Sequence, residues 1–191
     1  MLTVLVIDES RARAGEICAG LALAGYQVAA ILADAENLTA EVEKLQPDVI
    51  LIDTDSPSRD TLENLAAMNK NMPRPVVIFT QADGQETIRD AVKAGVSAYI
   101  VDGLDPKRIK PIVEVARARF EDTQAMRREL DEISQKLSDR KLVDKAKGVL
   151  MKARGLDEDA AYHAMRKLAM ERGQSMAKVA RDVIDMARVL L

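Results

Sequence analysis

Thr3-Val4-Leu5-Val6-Ile7-Asp8-Glu9 is the stretch on which the fold turns. A continuous apolar run that stops at paired acids suits a strand buried on both faces, as in a parallel sheet. The pattern recurs outward from it: Val49-Ile50-Leu51-Ile52 stops at Asp53, and Pro75-Val76-Val77-Ile78-Phe79 stops at Thr80. Gln27–Leu32 and Ser97–Val101 supply two more strands. Helical spacing fills the intervals at Arg11–Ala24, Ala35–Leu45, Thr61–Asn69 and Gln85–Ala94. Five β–α units in succession predict an α/β, flavodoxin-like fold with a five-stranded parallel sheet.

In such sheets the site lies beyond the carboxyl ends of the strands. Asp8, Glu9, Asp53 and Thr80 stand there. Crowded carboxylates repel unless they share a cation, so Asp8, Glu9 and Asp53 are expected to hold Mg²⁺. The same residues, with Tyr99, make residues 1–120 resemble the receiver domain of bacterial response regulators. The resemblance implies that Asp53 is the phosphoacceptor, Asp8 and Glu9 are metal ligands, and Thr80 and Tyr99 are the switch pair. One departure stands out: receivers end the fifth strand with Lys-Pro, where this chain has Asp102-Gly103. An acid in place of that lysine disfavours a stable aspartyl phosphate, so control by protein binding is expected at least as strongly. Asp53-Thr54-Asp55 also resembles, faintly, the Asp-x-Asp of haloacid-dehalogenase phosphatases, but no matching downstream lysine accompanies it. The expectation is therefore a regulator and not an enzyme.

Asp105-Pro106 predicts the start of a fifth helix, with Pro111 as a potential kink. Beyond it, Ile109, Ile112, Ala116, Arg119, Thr123, Met126, Leu130, Ile133 and Leu137 recur at alternating threes and fours. That is a coiled-coil seam, assigned to residues 109–140 and expected to form a homodimer. The competing arrangement folds the seam back onto the same chain.

Charge changes across this stem. Residues 1–106 carry 17 acidic and 8 basic side chains; residues 107–191 carry 14 and 20. Such asymmetry points to a polyanion at the basic end. Gly155 and Gly173 predict helix ends, and Asp157 and Ser175 predict helix starts, giving a small bundle of three helices. Periodicity leaves a DNA-binding helix-turn-helix and an RNA-binding bundle equally open. Lys141, Lys145, Lys147, Arg154, Arg166, Lys167 and Arg172 are the candidate contacts. Tyr162 is expected to pack against Met165 and Leu168, with base stacking as the alternative. Gly148, inside a helix, suggests close approach of another helix or of RNA.

Ala146-Lys147-Gly148-x-Leu150-Met151, Ala160-Ala161-Tyr162, Leu168 and Val179-Ala180 resemble the ANTAR domain, over residues 130–191. With the receiver-like half, the chain resembles ANTAR-family regulators of the NasT type. The resemblance implies an RNA-binding transcription antiterminator that recognises paired stem-loops in leader transcripts of nitrate or nitrite assimilation. It also implies a solute-binding-protein-like nitrate or nitrite sensor as partner. The alternative is a phosphorylation-dependent DNA-binding response regulator. Cys18 is the only cysteine, which excludes an internal disulfide, and it is expected to pack in a helix. With no apolar span or leader pattern, a cytoplasmic protein with no membrane partner is expected.

Overall fold

A computed structural model describes every residue except Asp102, Leu104 and Leu191, with the side chains of Arg11, Ala12, Pro106, Val189 and Leu190 also left aside. The expectation attached to Asp102 therefore lies outside the described residues. Five parallel strands, β1 (Thr3–Asp8), β2 (Gln27–Leu32), β3 (Val49–Thr54), β4 (Val76–Thr80) and β5 (Ala98–Val101), form one sheet in the order β2-β1-β3-β4-β5. Helices α1 (Arg11–Leu23), α2 (Leu38–Leu45), α3 (Arg59–Asn71) and α4 (Gln85–Lys93) connect them.

The chain divides into two compact units, Met1–Gln124 and Ala125–Leu191. In the first, side-chain alternation along the strands splits the core in two. Leu5, Ile7, Ile50, Ile52, Val76 and Ile78 face Leu38 and Val42 of α2, Leu65 and Met68 of α3, and Ala91 of α4. Val4, Val6, Val49, Leu51, Val77 and Phe79 face Ile17 and Leu21 of α1 and, on the long helix α5 (Ile109–Arg154), Ile109, Val113 and Ala116. Burial on both faces is why the central strands read as unbroken apolar runs. Cys18, expected to pack in its helix, lies half-buried in α1.

Two helix starts differ from expectation by more than two residues. The segment from Ala35 is not yet helical, because the Asp34 carboxylate accepts from the Glu36 N–H at 2.9 Å and holds a local turn. Asp105 caps a short 3₁₀ turn, Pro106–Arg108, its carboxylate accepting from the Lys107 N–H at 2.9 Å. Helix α5 begins after that turn. Pro111 is thus the third residue of α5, where the missing N–H has no acceptor within the helix to lose.

The second unit packs the last turns of α5 against α6 (Glu158–Arg172) and α7 (Met176–Leu190). Its core is Ala146 from α5, Met165 and Ala169 from α6, and Val179, Ala180 and Ile184 from α7, edged by Leu142, Val143 and Leu150. Asp157 and Ser175 cap α6 and α7 through the N–H groups of Ala160 (2.7 Å) and Lys178 (3.2 Å). Gly173 closes α6 in the left-handed region at φ 59°. Nothing lies within 4 Å of a Cβ built on Gly148, so the close helix approach suggested by that glycine is not made among the described residues.

Candidate functional site

The ends of β1 and β3 place the acidic residues. Asp8 and Asp53 are register partners across the two strands, and Thr54 and Thr80 are partners across β3 and β4. Asp8 is 3% exposed. Its Oδ1 accepts from the Ser10 N–H at 2.7 Å, whereas its Oδ2 is buried with no hydrogen-bond partner. Asp53 is also buried, and that burial pushes its carboxyl above the usual range. Arg13 pulls the other way, while Asp8 and Asp55 add to the rise.

The expected trio of metal ligands is not assembled. Glu9 is exposed, and among the described residues no three acidic, histidine or cysteine side chains converge tightly enough to hold a metal ion. A guanidinium stands over the acids instead. Arg13 Nη2 lies 3.7 Å from Asp8 Oδ1, Nε lies 3.9 Å from Asp53 Oδ2, and Nη1 donates to Asp55 Oδ1 at 2.9 Å. The orphaned, buried Asp8 Oδ2 beside Asp53 nonetheless offers hard oxygen donors that fit a divalent cation.

Thr80 and Tyr99 meet on one loop. The Thr80 hydroxyl donates to the Asp55 carbonyl at 2.9 Å and accepts from the Ala82 N–H at 3.1 Å. The Tyr99 hydroxyl donates to the Ala82 carbonyl at 3.0 Å, and burial raises its phenol pKa. At the end of β5, Gly103 has φ 75°, and a Cβ there would lie 2.9 Å from Gln81 Nε2. A proline, locked near −65°, cannot adopt that backbone, so the missing Lys-Pro is a structural difference as well as a chemical one.

In the second unit, Lys141, Lys145, Arg154, Arg166 and Arg172 are exposed and make no ion pair among the described residues. Lys167 has only a long 3.9 Å contact to Glu171. Lys147 is different: its Nζ sits 2.8 Å from Asp144 and 2.6 Å from Glu158, and its side chain is 16% exposed. Tyr162, expected in the core, is 40% exposed and meets His163 edge to face. Ala161, Met165 and Ala169, four apart, form the buried row of α6, and Tyr162 falls about 100° round from it. His163, Arg166, Lys167, Met170 and Glu171 line a shallow depression of about 360 Å³ on α6.

Two families match this arrangement: the response regulator receiver domain over residues 4–114 and the ANTAR domain over residues 131–184. The chain is an ANTAR response regulator. It is 29% identical over 161 residues to the transcriptional regulatory protein PdtaR of Mycobacterium tuberculosis, a match spanning 84% of this chain and 78% of that protein. It is 35% identical over 75 residues to a nitrate regulatory protein of Klebsiella oxytoca, 39% of this chain and 19% of the relative. The receiver unit superimposes on a CheY-like receiver from Methanospirillum hungatei with a TM-score of 0.56 at 22% identity, covering 64% of this chain and 98% of that one.

Sequence reasoning missed Arg13 in this ANTAR regulator. Its partner Asp55 is 42 residues away, beyond any helical spacing. One local signal existed: a cation in the first turn of α1 opposes the helix dipole and so needs an anion nearby. Among the described residues, no helix is long and apolar enough to cross a membrane.

Proposed function

We propose that this ANTAR regulator is an RNA-binding transcription antiterminator, its receiver unit governing a basic bundle that grips paired stem-loops of a leader transcript. The observation that carries the reading is the set of cations at Lys141, Lys145, Arg154, Arg166 and Arg172, exposed and without internal anions, on a bundle that also displays the Tyr162 ring. Unpaired Lys and Arg neutralise backbone phosphates, and an exposed aromatic stacks on bases splayed from a loop. Lys147, held by Asp144 and Glu158, acts in this reading on the geometry of the bundle, and Lys167 contributes at its edge.

Met126, Leu130, Ile133 and Leu137 of α5 are more than half exposed and continue the apolar repeat, which supports a parallel homodimer through that row. Two bundles on one dimer make the second hairpin contact effectively intramolecular. Within the receiver, Asp53 is the phosphoacceptor position, and Thr80 and Tyr99 are the switch. Asp8 and Asp53 would hold Mg²⁺, which when bound neutralises charge on a phosphoryl group. The nitrate regulatory relative supports nitrate or nitrite assimilation as the setting, with a solute-binding-protein-like nitrate or nitrite sensor controlling the receiver.

Gel shifts of the full chain with a tandem-hairpin leader RNA and with duplex DNA test this reading. Tight binding to the hairpins is expected, weakening by about tenfold or more in Lys141→Glu/Lys145→Glu with a shallower salt dependence. Preference for the duplex would overturn it in favour of a DNA-binding response regulator.

A further inference from the structure

Arg13 reaches the acidic pocket through an anchor at its rim. Its one hydrogen bond to an acid, 2.9 Å, goes to Asp55, whose side chain is exposed. Its contacts with the buried acids Asp8 and Asp53, at 3.7 and 3.9 Å, are too long for hydrogen bonds. Arg13 Nε and Asp8 Oδ2 are both buried and both lack a hydrogen-bond partner. The guanidinium therefore supplies countercharge to the pocket without satisfying its polar atoms. An arrangement under-bonded on both sides is poised for exchange, because an unmade buried hydrogen bond is costly.

What would replace it is set by the chemistry of the acids. Their oxygens are hard donors, and a compact divalent cation with its own water shell can bond both Asp8 Oδ2 and Asp53 where the planar guanidinium cannot. Arg13 and such a cation cannot share the site, since two positive charges would compete for the same few oxygens. The Arg13 side chain is 41% exposed, so it has an outward path.

We propose that Arg13 is a tethered competitor for the divalent cation: it covers Asp8 and Asp53 in the metal-free receiver and must leave them before Mg²⁺ binds. This rests on the reading of the pocket as a Mg²⁺ site and adds what governs access to it. Metal loading is then coupled to the position of one side chain on α1, and anything that draws Arg13 outward primes the pocket.

Mg²⁺ titration of the full-length protein, followed by calorimetry and by backbone amide shifts around Asp53, tests the proposal without a phosphorylation assay. Arg13→Gln is expected to bind Mg²⁺ about tenfold more tightly than the wild type, a difference of about 1.4 kcal/mol. Arg13→Lys keeps a cation and should stay nearer the wild type. Asp55→Asn removes the anchor and leaves both buried carboxylates in place, but also takes one negative charge from the rim, so it should strengthen binding by a smaller factor. Arg59→Gln, which breaks an ion pair with Glu63 on α3 outside the pocket, should change nothing. Equal or weaker Mg²⁺ binding by Arg13→Gln, with wild-type binding intact, would overturn the competitor. Should neither protein bind Mg²⁺, the pocket reading itself fails. If Arg13→Gln does not fold, Asp55→Asn decides the matter, because its side chain lies at the surface.

Discussion

Helix α5 holds two stretches of the same apolar repeat with opposite fates. In its first turns Ile109 and Ala116 of the repeat are wholly buried under the sheet, with Val113 beside them and Ile112 partly buried. Further on, Met126 and Leu130 are 65% and 66% exposed, and Ile133 and Leu137 more than half. A repeat of threes and fours reports that a stripe exists; it does not report what covers it. The receiver's own strands cover the first stretch, and the second is left exposed by the described residues of its own unit.

The sharpest way to break that contrast is to put a charge on each stretch. Ala116→Asp buries an unpaired carboxylate in the core between the sheet and α5 and should destabilise the receiver by about 3 kcal/mol or more, read as a fall in its urea midpoint. Leu130→Glu/Ile133→Glu, on the exposed row, should leave that midpoint within about 0.5 kcal/mol while abolishing self-association in analytical ultracentrifugation. An unaltered dimer in the double variant would remove the row from the interface.

A smaller effect contrasts acids within the receiver. Asp48 accepts from the Thr3 N–H at 2.7 Å and the Thr3 hydroxyl at 2.9 Å, and these bonds, the backbone one foremost, hold its carboxyl below the usual range. A depressed folded-state pKa stabilises above the unfolded value, near 3.9, and the benefit disappears as pH falls through the folded value. Asp48→Asn should therefore cost less than about 1 kcal/mol at neutral pH, since solvent screens this exposed carboxylate, shrinking to nothing in strong acid, in urea titrations across that range. The smallest effect is expected at Asp53. Asp53→Asn should leave RNA affinity of the purified protein within about twofold, and a larger loss in a folded variant would show that the ionised carboxylate is required.

The sheet was legible because its central strands are buried on both faces, so Val49–Ile52 and Val76–Phe79 announce themselves without alternation. The placement of Asp8, Asp53 and Thr80 was legible for a related reason, since the polar residue that ends each run marks the carboxyl edge of the sheet. Arg13 was not, because its role depends on a contact from the first turn of α1 to the β3–α3 loop. Tyr162 misled because Met165 stands at contact spacing, three residues on, yet the row from Ala161 to Ala169 decides which face turns inward. Lys147 shows both sides: Asp144, three residues back, is visible in the sequence, and Glu158 across the helix junction is not.

That lysine carries a consequence for how variants of this protein are interpreted. Lys147 ties α5 to the first residue of α6 through Glu158, a surface ion pair that adds modestly to the apolar contacts holding the two helices together. In the RNA-binding reading, removing Lys147 would lower affinity through the geometry of the bundle, and the loss would be epistatic with changes at Asp144 and Glu158. Cations that grip phosphate directly would show no such dependence, so the pattern of coupling, more than the size of any single defect, separates the residues that hold the message from those that hold the protein in shape.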